Sequence, residues 1–461
     1  MQLLTKDRIF YKKLIGIAVP SSLQSLIMFG VNTADTVMVG SLGENSIAGV
    51  ALANQLAFLY QITCYGIAGG MGVIMAQFWG KNDREAIESG LSITVKIAAV
   101  FGLLFMMLAY LFPTQVLSLY TSDPLVRAEG IAYLKIIAIS FLFLGLTTMI
   151  SQALRSVEVV KLSLYSSCVA MVVNIFFNWV FIFGNLGAPH LGVRGAAIAT
   201  LLSRIAEFLI VSIYLLRIDK RISFRLTALL HWDKGIFRNY MKNGSPVIVS
   251  DIILGVGNTM ASVVLGHMGA VVTSASSIAN TLYQLTSVFL MGVANASGVI
   301  TGNTVGAGQY EKAKEYGKTF ITISVLVSLF AVAVIQLIKG VIFQEFNIGS
   351  TIVQVFNVEL STKELAGQLI NSLSVLTVFM TVSNVLTKGI LRSGGDTKFL
   401  MVADVLFLWV VSVPLGFITG LYLKWPPYIV FFLLRSDEVI KSVWCMFRFF
   451  GWKWIKNVAV R

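Results

Sequence analysis

The sequence predicts an all-α integral membrane protein with about twelve transmembrane helices in two pseudo-symmetric six-helix lobes. Three observations predict it. Hydrophobic residues make up 56% of the 461-residue chain and charged residues only 12%, too apolar for a soluble globule of this length. Nearly uncharged runs of ~20 residues, the length a helix needs to cross the hydrocarbon core, recur from end to end. The two halves of the chain also repeat one another.

In order, the spans are read at 13–39, 47–76, 91–112, 130–153, 163–184, 194–216, 244–266, 270–302, 319–338, 365–390, 399–423 and 427–449. The first is too long for the apolar core of a cleavable leader and continues into a bundle pattern. The last carries Arg435, Asp437, Glu438 and Lys441, which must be paired inside the bundle or lie at the helix ends. The spans divide the chain into an N-terminal lobe at 1–216, a basic cytoplasmic linker at 217–242 and a C-terminal lobe at 243–461.

The net charge of +13 would suit nucleic acid, but its placement points to membrane topology instead. Roughly twenty-five Lys and Arg fall at one end of the spans, from Lys6, Arg8, Lys12 and Lys13 through the 217–242 loop to Lys453, Lys456 and Arg461. The other end holds Arg127, Arg194, Lys339, Lys363 and Lys424. By the positive-inside rule both termini are cytoplasmic, in a multi-pass protein of the plasma membrane. Plain topology explains the basic loop 217–242, with contact to anionic lipid as the other reading.

Several chemistries find no support. Cys64, Cys168 and Cys445 lie inside apolar helices, as small packing residues do. His190, His231 and His267 share no metal-ligand spacing. No Gly-rich loop ends in Gly-Lys-Ser/Thr, so ATP hydrolysis has no motif, and no cofactor or nucleic-acid partner is expected.

The repeat is gapless at an offset of 226 residues. Pro20 matches Pro246, Asn32-Thr33 matches Asn258-Thr259, Gly40 and Gly43 match Gly266 and Gly269, and Ala53-Asn54 matches Ala279-Asn280. Gly66, Gly72, Gly80 and Glu85 match Gly292, Gly298, Gly306 and Glu311. A second stretch keeps an offset of 237, with Leu154-Arg155-Ser156 on Leu391-Arg392-Ser393, Lys161 on Lys398 and Pro189 on Pro426. Six spans per half return the chain to its starting side, so the halves have the same orientation and are related by an axis along the membrane normal. Two such bundles enclose a cleft that rocking opens to either side, which predicts a secondary transporter rather than an enzyme.

The residues then carry a family resemblance. Pro20 precedes Asp35-Thr36-Val37-Met38-Val39-Gly40, and Gln77-Phe78-Trp79-Gly80 closes the second span. Asn174 to Gly184, Gly192 to Thr200, and Leu391-Arg392-Ser393-Gly394-Gly395-Asp396-Thr397 complete the ordered set. With the repeat, it resembles the bacterial branch of the multidrug and toxic compound extrusion (MATE) family over nearly the whole chain. The resemblance implies two lobes around a central cavity, exporting drugs and organic cations against sodium ions or protons. A lipid or oligosaccharide flippase of the same wider superfamily is the alternative. The protein is expected to work as a monomer in the lipid bilayer.

Asp35 is the first candidate for ion coupling, because an acid within a span costs ~2.5–3.5 kcal/mol on insertion scales and something must offset that cost. Its repeat partner is Ala261, while the neighbouring Asn32-Thr33 is kept in both halves. Asn178 and Thr200 come out near the depth of Asp35, and Asn174 lies one turn below Asn178 on the same helix face, at the i, i+4 spacing that lets two amides serve one ion or one carboxylate. In the family pattern these positions belong to the N-lobe cation site, so Asn174, Asn178 and Thr200 carry over. Interhelical hydrogen bonds that only hold the bundle are the other reading for each. Sodium at Asp35 is the one metal considered.

The chain departs from the pattern at Leu254 and near Thr381, where relatives tend to carry acids. Asp251, one turn before Leu254, either substitutes as a second acidic site or is an ordinary inner-leaflet residue. Asp404 reads as structural, and Arg204 with Glu207, at i and i+3, as a local ion pair. The drug-contacting residues stay unassigned.

Overall fold

The computed structural model describes residues 3–342 and 360–460. Arg461, counted above among the inner cations, lies outside them, as does most of the loop between the ninth and tenth expected spans. The described residues are helical with no strand.

Among the described residues, eleven helices are long and apolar enough to cross a membrane. The long elements are α1 (Arg8–Gly40), α2 (Glu44–Gly80), α3 (Arg84–Leu111), α5 (Pro124–Ser156), α6 (Lys161–Phe183), α7 (Val193–Ile213), α9 (Ser245–His267), α10 (Ala270–Gly306), α11 (Tyr310–Ile342) and α12 (Leu360–Asn384). Short α4 (Pro113–Ser118) and α8 (Lys234–Asn243) lie between them. The eleventh span runs from α13 (Thr397–Leu406) through wide π turns and α14 (Val413–Phe417) to Tyr422. At 37 residues, α2 and α10 are each ~55 Å long, well beyond a ~30 Å hydrocarbon core.

The expected twelfth span needs correcting, because 427–449 is not one helix. It forms α15 (Pro427–Leu433) and α16 (Ser436–Phe450), broken by a turn at Leu434-Arg435. The charges of this segment are paired. Lys441 on α16 meets Glu438 at 3.0 Å, Asp404 at 3.2 Å and Asp437 at 3.7 Å, pairing that a lipid-facing helix could not provide.

The chain forms two compact units. One comprises Leu23–Ile248 with Ala459–Arg461, and the other Met1–Ser22 with Val249–Val458. Two of the unit boundaries fall inside α1 and α9, after Ser22 and after Ile248, which are themselves 226 residues apart. The segment 217–242 therefore belongs wholly to the first-half unit.

Repeat-matched residues do repeat-matched work. Gly43 and Gly269 precede α2 and α10 with φ of 109° and 117°, in the region that favours glycine. A Cβ on Gly66 would lie 3.1 Å from Ile248 Cα, and one on Gly292 would lie 2.1 Å from Ser22 Oγ. Gln24 Nε2 donates to Ser167 Oγ at 3.3 Å, and at the matched positions Ser250 Oγ donates to Asp404.

In the first-half unit α5 is central, packed on α2, α3 and α7, while α6 pairs with α7. In the second-half unit α10, α11 and α12 pack together over a core that includes Leu265, Leu282, Ile335, Leu369, Leu373 and Phe431. The start of α1 is fixed there by Phe10, whose ring lies 4.6 Å from Tyr316 and 4.9 Å from Phe320.

Candidate functional site

The four residues expected at the N-lobe site meet. Asp35 is half-buried on α1, and Asn174 and Asn178 are fully buried on α6. Asn178 Nδ2 donates to Asp35 Oδ1 and also to Asn174 Oδ1 at 3.2 Å, and Asn174 Nδ2 donates to Thr200 Oγ1 at 3.4 Å. The i, i+4 spacing makes this chain possible, since it stacks both amides on the face turned to α1 and α7. Asn178 Oδ1 is buried and accepts no hydrogen bond among the described residues. An orphaned buried acceptor costs roughly 1–3 kcal/mol, so a polar group left this way beside a carboxylate is suited to a cation or a proton donor.

The cluster opens onto a cavity of about 350 Å³ within the first-half unit, lined by Asp35, Asn54, Tyr133, Asn174, Thr200 and Arg204 among others. Asp35 is the one acid in that lining. Arg204 is held at 2.9 Å by Glu207, whose other oxygen accepts from Ser167 at 3.2 Å, as the i, i+3 spacing suggested. Its charge is thereby shared with Glu207, so that Arg204 acts on Asp35 only across the cavity while an amide bonds the carboxylate directly. Tyr133 and Asn54 escaped the sequence reading. The Tyr133 hydroxyl interacts with both Thr200 and Asn54. A lone tyrosine within an apolar helix looks like packing, whereas Asn54 had a signal, since this polar residue recurs at Asn280.

Asp251 does not join this group. Its carboxylate takes both terminal nitrogens of Arg392, at 2.8 and 3.2 Å, in the second-half unit. The matched position of Asp251 in the first half is Ser25, and that of Arg392 is Arg155, whose Nε has no hydrogen-bond partner among the described residues. Asp404, bonded by Ser250 and Lys441, sits in the buried Lys441 cluster with Asp437, which accepts from Ser412 Oγ at 3.3 Å. The second-half unit thus joins Asp251 and Asp404 directly to Arg392 and Lys441, whereas Asp35 in the first-half unit is bonded to an amide, and the nearby Arg204 is itself paired with Glu207.

The MatE family model matches residues 20–180 and 246–418, two segments that start 226 residues apart. The chain belongs to the MatE family. It is a multi-pass membrane transporter and not an enzyme. Among curated MatE-like relatives, "Probable multidrug resistance protein NorM" of Thermotoga maritima is 23% identical over 97% of this chain and 94% of its own length. "Uncharacterized transporter YisQ" of Bacillus subtilis is 24% identical, covering 94% and 92%. Among solved structures, one described as "Crystal structure of MATE in complex with MaL6" superposes with a TM-score of 0.84 at 19% identity, covering 98% of each chain. A MOP superfamily transporter from Pyrococcus furiosus gives 0.84 at 18%, also covering 98% of each. These likenesses establish the MATE fold for this chain.

Proposed function

We propose that this MatE chain is a secondary active exporter of cationic or amphipathic compounds, driven by sodium ions or protons that bind at Asp35. The observation that carries the reading is Asp35 as the one acid lining a cavity whose other polar groups are neutral or internally paired. Oxygens of Asp35, Asn174, Asn178 and Thr200 form a hard donor set of the kind sodium takes, and a proton needs only the carboxylate. Either ion neutralises Asp35, which removes its attraction for a cationic compound and favours release. The concentration of basic residues at one end of the spans supports cytoplasmic termini, so that a ~100 mV potential adds about 2.3 kcal/mol per charge moved inward. Binding and release on opposite sides then amount to alternating access by a monomer, with no cofactor beyond the coupling ion. The names of the multidrug-resistance relatives support drugs as the cargo.

The test is uptake of a cationic dye such as ethidium by inverted vesicles under an imposed sodium or proton gradient, one at a time. Dye accumulation under either gradient supports export. No accumulation across a broad panel of cations under both gradients would point to a lipid or oligosaccharide cargo.

A further inference from the structure

The basic segment between α7 and α8 is laid along the spanning part of α3. Ser92 Oγ donates to Ala228 O at 2.7 Å and Lys96 Nζ to His231 O at 2.5 Å. These bonds fasten the 3-10 turn Leu226–Leu230 alongside α3 some ~12–18 Å from its start at Arg84, at ~1.5 Å per residue. Because the 28-residue α3 is ~42 Å long, it exceeds a ~30 Å hydrocarbon core by ~12 Å. With that excess at the basic end that begins at Arg84, the turn falls at the level where hydrocarbon gives way to headgroups.

Its side chains suit that level. Leu226 is 61% exposed, Leu230 86% and Trp232 45%, an apolar display that lipid accommodates and water does not. Tryptophan favours this boundary, and the Lys96 ammonium lies 5.2 Å from the Trp232 ring centre, so the turn also caps a cation of α3. Around the turn, Arg217, Lys220, Arg225, Lys234, Arg238 and Lys242 are all exposed. The acids of the segment are engaged with backbone: Asp219 accepts from Ile222 and Ser223 amides at 2.8 and 3.1 Å, and Asp233 from Ile236 at 3.0 Å. On α8, buried Ile236 and Tyr240 face inward, with the Tyr240 hydroxyl donating to Ile67 O at 3.1 Å. Lys234, Arg238 and Lys242, one turn apart, then line the outer face.

We propose that residues 217–242 form a binding surface for anionic phospholipid, in which Leu226, Leu230 and Trp232 enter the acyl region and the surrounding cations meet headgroup phosphates. Charge complementarity and the depth of the leucines select this occupant, since an acidic protein would need the cations but not apolar side chains at bilayer level. The surface depends only on the chain spanning a bilayer, and not on what it transports.

The test uses the full-length protein in nanodiscs holding equal fractions of brominated phosphatidylglycerol or brominated phosphatidylcholine, with Trp232→Phe subtracted to isolate the Trp232 fluorescence. Trp232 is expected to be quenched by both lipids, and roughly twofold more by phosphatidylglycerol. In a folded Arg225→Gln/Arg238→Gln/Lys242→Gln variant that excess should vanish while quenching by phosphatidylcholine stays. Leu230→Asp should weaken quenching by both. Quenching by neither lipid in the wild type would remove the segment from the bilayer and leave an acidic protein as occupant. Equal quenching by both, or an excess kept by the neutralised variant, would overturn the headgroup assignment.

Discussion

Asp35 on α1 and Asn178 on α6 are joined by a hydrogen bond from the amide nitrogen to the carboxylate, and the same nitrogen reaches Asn174, while Asn178 Oδ1 has no donor among the described residues. The acid and the amide therefore act as one hydrogen-bonded unit.

Asn178→Ala removes the amide from the carboxylate and one oxygen from the donor set. A hydrogen bond to a charged group contributes about 1.5–3 kcal/mol, so the apparent affinity for the coupling ion should fall about tenfold or more. The ion-concentration dependence of dye uptake in vesicles reads this. Unchanged half-saturation would assign Asn178 to helix packing alone.

Lys441→Met leaves Asp404, Asp437 and Glu438 facing one another in the dry interior, and should destabilise the protein by about 3–5 kcal/mol. Asp404→Asn keeps two carboxylates for Lys441 and should leave gradient-driven transport within about twofold of wild type. Thermal unfolding in detergent, alongside vesicle transport, separates the two expectations. A transport loss in Asp404→Asn as deep as that expected for Asp35→Asn would place ion coupling in both units.

The first eleven spans, the repeat and the Asp35 group were legible in sequence for physical reasons. Hydropathy reports helix length directly, and an offset that keeps Gly43 and Gly269 reports a backbone conformation needed twice. The i, i+4 amides of Asn174 and Asn178 lie on one helix, where spacing fixes geometry. Contacts between distant helices were not legible. Nothing local says that Asp404 and Lys441 meet, that Asp251 pairs with Arg392, or that the chain turns at Leu434-Arg435.

Gly292 lies where a Cβ would come 2.1 Å from Ser22 Oγ and 2.5 Å from Ala18 O, while one on Gly266 would meet nothing within 4 Å. Gly292→Ala should cost about 1–3 kcal/mol through overpacking against backbone. Gly266→Ala should be neutral, or stabilising by up to about 1 kcal/mol through helix propensity. Equal unfolding temperatures for the two variants would contradict the close approach of α1 to α10.

Ahead of α1, the Tyr316 hydroxyl donates to Asp7 at 2.5 Å and the Ile9 amide at 2.8 Å, and these bonds hold the Asp7 carboxyl below its ordinary range. A carboxyl depressed in the folded state stabilises the fold above its unfolded pKa, and the contribution is lost as pH falls through the folded value. Tyr316→Phe should therefore lower the unfolding temperature at neutral pH, with the gap to wild type narrowing only below about pH 4. A gap that widens on acidification would reverse the sign.

Ion coupling at Asp35 is tested most directly by reconstituting wild type and Asp35→Asn at matched density in proteoliposomes and following dye uptake under an imposed sodium or proton gradient. Wild type should concentrate dye under one gradient at least, and Asp35→Asn, folded and inserted as well as wild type, should concentrate none under either. Gradient-driven uptake by Asp35→Asn equal to wild type would contradict the account and place the coupling ion elsewhere.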